Sequence, residues 1–279
     1  MKVNRFKSSE ISVGRLLEAA IRRLVDLPHM MAWRNGAGVA EENRKALRNF
    51  RDKHLGERCI IMANGPSLAK IDPSMLRGET TFGLNRIYLM ANVWDFLPTY
   101  YVCINELILD QFHHEITQLT MPKFVNWNSR RYFTAEKRNT FFLRTRLNLK
   151  DAFWPNIENP ISSGGTVTYA ALQIAYYMGF DQVVIVGLDH HYLEKGTPNR
   201  AVVRGAEKDV AHFHPEYFPK GSVWQPPDLL RSELAYGLAR EAYEKSGRQI
   251  IDATLGGKCE IFEKMELERI FDGVGKDGL

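Results

Sequence analysis

Residues 59–68 read Cys-Ile-Ile-Met-Ala-Asn-Gly-Pro-Ser-Leu, and this stretch decides the fold. Cys59–Ala63 is a short, unbroken apolar run, typical of a strand buried on both faces of a parallel sheet. Asn64 and Gly65 follow at once; a glycine permits close backbone approach, and Pro66 fixes a turn and removes one donor. The stretch therefore predicts a strand that ends in a polar turn. The turn is neither GxGxxG nor a P-loop, so an ordinary strand-to-helix turn is the alternative interpretation.

Outward from this stretch, short apolar runs alternate with helical patterns as far as residue 253. This alternation predicts an α/β fold with a mostly parallel sheet and helices on both faces. The expected strands are Cys59–Ala63, Thr80–Leu84, Tyr100–Ile104, Lys123–Trp127, Gln182–Gly187 and Gln249–Ala253, and the expected helices lie near Arg86–Ala91, Glu106–Gln118, Thr166–Met178 and Pro227–Lys245.

The composition is that of a globular protein. Of 279 residues, 44% are hydrophobic and 25% are charged, which excludes a disordered chain, a collagen-like repeat and a disulfide-stapled miniprotein. The three cysteines are far apart, which argues for a reducing compartment and against a structural zinc site. The uncharged run 159–180 holds too many polar residues and glycines for a good bilayer span. We therefore expect a soluble, cytoplasmic protein.

Basic charge is concentrated near the N-terminus. Residues 1–55 hold 12 Lys and Arg against 6 Asp and Glu, whereas the whole chain has a net charge of only +4. Apolar residues recur there at helical spacing, which predicts a basic amphipathic helix. Such a helix either packs on its own domain or, through residues 1–35, contacts the inner face of a membrane. Nucleic-acid binding is not expected, because no aromatic residues interleave with the basic ones. The stripe consists of Val13, Leu16, Leu17, Ala20, Ile21 and Leu24.

Polar residues follow five of the predicted strands. Parallel sheets bind ligands beyond the carboxyl ends of their strands, so these residues are expected to line one crevice. They are Asn64-Gly65, Asn85, Asn105-Glu106, Asn126 and Asp189-His190-His191.

A second turn, Ser162-Ser163-Gly164-Gly165, precedes the helix predicted from Thr166. Hydroxyls and glycines at a helix N-terminus offer an anion site for a phosphate or carboxylate. The alternative is that Ser163 only caps the helix and the glycines only form a tight turn.

Asp189 and the histidines after it could bind a divalent cation, but adjacent histidine side chains diverge. Asp189 is therefore expected to hold a loop backbone or a ligand hydroxyl instead, and Tyr192 to contact the ligand. The long segment 193–227 is predicted to be a lid, in which His212 or His214 acts as a general base or only hydrogen-bonds the lid.

The order of these motifs resembles two related groups of proteins. One is the 6-hydroxymethylpterin diphosphokinase MptE-like family, which includes motility-associated glycosyltransferases, and the other is the bacterial sialyltransferases of glycosyltransferase family 42. The resemblance covers about residues 57–262. It is carried by Asn-Gly-Pro-Ser-Leu, Phe-Gly-Leu-Asn ending at Asn85, Ser-Ser-Gly, Met-Gly-Phe, Gly-x-Asp, His-Phe-His-Pro-Glu-Tyr-Phe and Asp252–Gly257.

The resemblance implies a Rossmann-like core at 56–192 after an N-terminal extension at 1–55, then a lid at 193–227 and a helix-strand-helix segment at 228–279. In the sialyltransferases the matching turns bind CMP, a tyrosine steadies the leaving phosphate and a histidine before the next long helix is catalytic. Here that last place reads Val-Trp-Gln-Pro-Pro, so His214 and His212 are the candidates for the catalytic residue. The expected nucleotide-binding residues are Asn64, Gly65, Pro66, Ser67, Asn85, Asn105, Ser162, Ser163, Gly164, Asp189, His190 and Tyr192.

Three functions follow. The first is a glycosyltransferase that moves a sugar, expected to be a CMP-linked acidic one, to a glycan, lipid-linked or protein acceptor by direct inverting displacement with a histidine base. It needs a nucleotide-sugar donor and no other cofactor, and we expect a homo-oligomer. The second is an MptE-like diphosphokinase that uses ATP and Mg²⁺. The third is a non-catalytic nucleotide-sugar-binding module. Carboxylates available for Mg²⁺ are Asp189, Glu106 and Asp252.

Overall fold

The computed structural model describes residues 13–35, 38–133, 139–146, 150–191 and 197–272. The chain divides into two compact units, residues 1–42 and 43–279. Helix α1 (Val13–Arg34) lies in the first unit, and α2 (Val39–Arg48) contains the division. Among these residues, no helix combines the length and the apolar character needed to cross a bilayer.

Helix α1 confirms the helical pattern near the N-terminus. It exposes aliphatic side chains, among them Leu24, which is 69% exposed, and Val25, which is 67% exposed. The expected membrane contact of residues 1–35 stays a prediction. Residues 43–55, which were predicted as part of the extension, lie in the second unit, where Leu47 and Phe50 are buried in the hydrophobic core.

The second unit is an α/β fold, as the sequence predicts. Its helices are α3 (Ala91–Trp94), α4 (Glu106–Thr117), α5 (Val167–Met178), α6 (Leu229–Lys245) and α7 (Leu267–Asp272). Its strands are β1 (Arg58–Met62), β2 (Thr80–Leu84), β3 (Tyr100–Cys103), β4 (Lys123–Asn126), β5 (Thr140–Leu143), β6 (Thr145–Arg146), β7 (Ile161–Ser162), β8 (Gln182–Val186), β9 (Val202–Val203), β10 (Val223–Trp224), β11 (Gln249–Asp252) and β12 (Glu263–Lys264).

Eight strands form the main sheet, in the order β12-β11-β8-β1-β2-β3-β4-β5, and every neighbouring pair is parallel. The six predicted strands are all present, with ends that differ by at most one residue. The other two strands of this sheet, β5 and β12, were not predicted. The helix expected at Arg86–Ala91 is instead a 3₁₀ turn at Ile87–Met90 that continues into α3.

The centre of the sheet holds its topological switch point. Strand β1 lies between β2 and β8, so the chain runs outward in one direction through β2 to β5 and in the other through β11 and β12. A crevice opens at such a point beyond the carboxyl ends of the two central strands. Their ends approach closely here: Gly187 has φ +74°, and a Cβ on it would lie 2.8 Å from the carbonyl oxygen of Ala63.

One carboxylate joins the two central strand ends. Asp189, just after β8, accepts hydrogen bonds from the Ser67 hydroxyl at 2.7 Å and from the Ser67 amide at 3.2 Å. It thereby stabilises the first turn of the 3₁₀ helix Pro66–Lys70, which follows β1. Gly65 makes this approach possible, because a Cβ there would lie 1.9 Å from Asp189 Oδ2. The expectation that Asp189 holds a loop backbone agrees with this geometry.

We predict that Asp189→Ala destabilises the second unit by about 1.5–3 kcal/mol, the usual effect of losing hydrogen bonds to a charged group. Urea unfolding followed by circular dichroism measures the change.

The chain offers a matched control. Asp72 stabilises another 3₁₀ helix that begins with Pro-Ser, but it bonds only to Ser74, two residues away on the surface. Asp72→Ala should therefore cost clearly less than Asp189→Ala. Equal losses would show that Asp189 is no more than a local cap.

Candidate functional site

A cleft of about 190 Å³ opens at the switch point, beyond the carboxyl ends of β1, β2, β3 and β8. Strand-end residues form its floor, the N-terminus of α5 and part of α6 form one wall, and the segment before α6 covers it. Among the sequence-predicted residues, those that line it are Asn64, Gly65, Asn85, Asn105, Asp189, His190 and His212.

Three asparagines, one after each of β1, β2 and β3, line the cleft. Asn105 caps α4, because its Oδ1 accepts from the Leu107 amide at 3.0 Å. Asn64 Oδ1 and Asn85 Oδ1 are buried and have no hydrogen-bond partner among the described residues, although the side chain of Asn85 also hydrogen-bonds to the Tyr217 side chain. A buried acceptor without a partner is costly, so these two oxygens are placed to accept from donors on a bound molecule or water.

The Ser162–Gly164 turn does not line the cleft. Asp151 occupies it, accepting from the Ser162 hydroxyl at 2.5 Å and from the Gly164 amide at 3.2 Å. Arg231 of α6 donates to both oxygens of Asp151, at 2.7 and 2.9 Å, and to the Ser163 hydroxyl at 3.2 Å. The groups expected to hold a ligand anion are therefore already bonded to a carboxylate of the chain and to its arginine partner.

The end of α5 that faces the cleft lies just beyond that turn. The N-cap of α5 is Thr166, not Ser163, since Thr166 Oγ1 accepts from the Thr168 amide at 3.3 Å. Residues 165–168 line the cleft. The positive end of this 12-residue helix thus faces the cleft about one turn later in sequence than the predicted anion site.

The described part of the predicted lid, residues 197–227, is bonded to the core at several points. The Phe213 amide donates to the Asn64 carbonyl oxygen at 3.0 Å. Arg86 donates to the carbonyl oxygens of Tyr217 and of Glu216, the latter at 2.9 Å. Gln111 of α4 pairs with both backbone groups of Val223 in β10. These contacts fix the segment over the strand ends.

The segment carries an imidazole–carboxylate pair. His212 Nδ1 lies 3.0 and 2.9 Å from the two oxygens of Asp209, whose side chain is fully buried. The ring stacks on Tyr217 with a centroid distance of 4.0 Å and an interplanar angle of 1°. Burial raises the pKa of Asp209, but the hydrogen bonds from His212 and the Ala211 amide, together with the charges of His212 and Arg204, outweigh it, so this pKa lies below its ordinary value. Asp209 is thus an anion that orients the ring.

The two predicted bases differ in position. His212 lines the cleft, whereas His214 does not; its Nδ1 accepts from the Glu216 amide at 3.1 Å and so stabilises a turn. Pro66 and Ser67 are not among the residues that line the cleft, and Tyr192 is outside the described residues. Residues 224–227 lie before α6, at the place where the resemblance to the sialyltransferases predicts a catalytic histidine, and they also line the cleft.

The three carboxylates considered for Mg²⁺ are bonded within the chain. Asp189 accepts from Ser67, Glu106 from Asn128 at 3.1 Å, and Asp252 from Lys264. Across the described ranges, His, Cys, Asp and Glu side chains form no group of three that could hold a metal ion.

Comparisons with known proteins agree with this architecture. The family model described as "6-hydroxymethylpterin diphosphokinase MptE-like" matches residues 35–195, which is more than half of the chain. The chain belongs to the MptE-like family. The resemblance to the MptE-like family, predicted from the motif order, is thereby confirmed. None of the curated proteins matches.

A solved structure shares the fold of this MptE-like chain. It is the MAf glycosyltransferase from Magnetospirillum magneticum AMB-1, with a TM-score of 0.50 and 16% sequence identity. The alignment covers 81% of this chain and only 38% of that one. At this identity the likeness shows a common Rossmann-like α/β fold, as predicted.

Several residues of the MptE-like site were not predicted. Asp209 could have been found, because it precedes His212 by three residues in Asp-Val-Ala-His and one turn brings them together. Asp151 and Arg231 carry no such signal, since 80 residues separate them. Glu233, which pairs with His190, is also remote from it, at 43 residues along the sequence.

The Asp151–Arg231 pair predicts a pH-dependent stability. Burial raises the pKa of Asp151, but the hydrogen bonds from Arg231 and Ser162 outweigh it, so the folded-state pKa lies below the unfolded value of about 3.9. The stabilisation is therefore complete above about pH 4 and is lost as the pH falls through the folded-state pKa. We expect Asp151→Asn to cost about 1–3 kcal/mol at pH 7 and progressively less below pH 4, by urea unfolding across pH.

Glu241 is the control, because its pKa is also lowered, by a hydrogen bond from Lys245, but on the exposed face of α6. Glu241→Gln should change stability little at any pH. A loss in Asp151→Asn that stays constant down to pH 2 would contradict the assignment.

Proposed function

We propose that this MptE-like chain is a glycosyltransferase that uses a nucleotide-activated sugar, with His212 as the general base. The observation that carries the proposal is the His212–Asp209 pair, placed over a cleft whose floor presents two buried, unpartnered amide oxygens. The hydroxyl group that receives the sugar must lose its proton to a base. A nucleoside carries hydrogen-bond donors that can pair with the two amide oxygens of the floor.

The floor favours a nucleoside. Asn64 Oδ1 and Asn85 Oδ1 accept hydrogen bonds, and ribose hydroxyls or an exocyclic amine of a base donate them. Cytosine carries such an amine, in agreement with the CMP-linked donor that the motif order implies. The site lies at the switch point of the sheet, where α/β proteins commonly bind nucleotides.

His212 is suited to act as a base because a carboxylate orients its imidazole ring. Asp209 holds Nδ1, so the proton on that nitrogen points to the carboxylate and the lone pair is on Nε2. In the transfer, the acceptor oxygen attacks the anomeric carbon while its proton moves to Nε2. The bond between that carbon and the phosphate oxygen breaks, and the electron pair leaves with the nucleotide. A single displacement of this kind inverts the anomeric configuration.

The family match favours a second candidate, a diphosphokinase that moves pyrophosphate from ATP to a hydroxymethyl alcohol. His212 would serve there too, because the alcohol also loses a proton. Mg²⁺ would neutralise the triphosphate in that reaction. Against it stands the bonding of Asp189, Glu106 and Asp252 to partners within the chain.

The test replaces the two histidines of the lid. His212→Gln should lower kcat by about 10²- to 10⁴-fold, the usual contribution of a positioned base, and leave nucleotide affinity intact. Asp209→Asn should reduce kcat in the same direction. His214→Gln is the control and should retain kcat, since that ring lies outside the cleft. Turnover is followed as release of CMP from a CMP-sugar and of AMP from ATP with Mg²⁺.

The outcomes separate the hypotheses. CMP release that depends on His212 supports the glycosyltransferase, and AMP release that depends on His212 supports the diphosphokinase instead. Nucleotide binding by the unmodified protein without any turnover would favour the binding module. Full activity of His212→Gln would eliminate His212 as the base.

A further inference from the structure

We infer that His190, oriented by Glu233, is the cationic group that binds the phosphate of the nucleotide donor. This inference rests on the proposed function, because it assigns the phosphate of the same ligand. His190 belongs to a wall of the cleft that donates hydrogen bonds, whereas the asparagine oxygens of the floor accept them.

The cleft is poor in cations. Among its described lining residues there is no lysine or arginine, and the only basic side chains are those of His190 and His212. Arg231, which lies near Gly165, directs its guanidinium to Asp151 instead. A phosphate bound here therefore takes its charged partner from one of two imidazoles, and His212 is engaged as the base.

His190 lies on the side of the cleft where the helix dipole is positive. Its ring centroid is 6.2 Å from that of Tyr236, whose hydroxyl donates to Thr166 Oγ1 at 3.4 Å. Thr166 is the N-cap of α5. The imidazole, Tyr236 and the N-terminus of a 12-residue helix thus line one wall, and the imidazole N–H and the positive end of the helix attract an anion.

The ring is held in a defined orientation. His190 Nε2 lies 3.0 Å from Glu233 Oε1, and the side chain is only 6% exposed. The backbone of His190 has φ +52°, a left-handed conformation that is uncommon for a residue other than glycine. This combination fixes the imidazole beside the end of β8 and leaves Nδ1 as the nitrogen that can meet a ligand.

The chemistry is that of an imidazolium between two anions. Nε2–H donates to Glu233, and Nδ1–H donates to a phosphate oxygen, so the ring makes a charge-assisted hydrogen bond on each side. When the sugar–phosphate bond breaks, charge increases on the phosphate, and this hydrogen bond strengthens. No proton needs to leave the ring for the step to balance.

The test compares CMP with cytidine by isothermal titration calorimetry, because the two ligands differ only in the phosphate. The ratio of the CMP affinity to the cytidine affinity should fall by about 10- to 100-fold in His190→Asn, the loss expected for one charge-assisted hydrogen bond. The affinity for cytidine itself should stay unchanged. Asn is chosen because it tolerates a left-handed backbone. Glu233→Gln should reduce the same ratio less, because the ring keeps its nitrogen.

His191 provides the matched control, since it is the adjacent histidine and is exposed outside the cleft. His191→Gln should leave both affinities unchanged. An unchanged CMP-to-cytidine ratio in His190→Asn would overturn the inference and leave the proposed function standing. An equal loss for both ligands would assign His190 a structural role and overturn it too. Failure of the unmodified protein to bind either ligand would overturn the proposed function, and the inference with it.

Discussion

The carboxylate of Asp189 is the contact on which the site depends. It reaches from the end of β8 to the amide and hydroxyl of Ser67 after β1, across 122 residues of sequence. Because these two strands are neighbours at the switch point, the bond fixes the mouth of the crevice between them. Gly65 has no Cβ to obstruct it, which explains why glycine follows Asn64 although its own φ of −72° suits any residue.

The floor and the wall of the cleft beside the Asp189 contact differ in their hydrogen-bonding groups. The floor presents amide oxygens of Asn64 and Asn85, which accept hydrogen bonds, whereas the wall built from α5 and His190 donates them. A nucleotide has the complementary arrangement, with donors on the nucleoside and acceptors on the phosphate. The Asp151–Arg231 pair supports this wall from behind by holding the turn that leads into α5.

Much of the fold follows from local pattern. Unbroken apolar runs such as Cys59–Ala63 are typical of strands buried on both faces of a parallel sheet, and the structure places the switch point at β1. The strand Thr140–Leu143 was not predicted; it lies at the edge of the sheet and pairs only with β4.

The site was less predictable than the fold. Asparagines after strands signal a wet crevice because all parallel strands end on one edge. Which hydroxyls are available to a ligand depends on distant partners, however. The local sequence around Ser162 and Ser163 predicts an anion site, but in the structure these hydroxyls are bonded to Asp151 and Arg231. No local spacing in the sequence predicts that contact. The choice between His212 and His214 likewise depends on which ring the lid turns toward the cleft.

The most direct test of the nucleotide cleft is calorimetric titration of CMP, with EDTA present, into the unmodified protein and into Asn85→Gly. Glycine keeps the left-handed backbone of Asn85, φ +48°, and removes only the amide. The account predicts metal-independent binding that weakens by about 5- to 10-fold in this variant, the effect of one hydrogen bond. Asn139→Gly, at a left-handed residue outside the cleft, should bind normally. Equal affinities for Asn85→Gly and the unmodified protein, or binding of ATP with Mg²⁺ and not of CMP, would contradict it.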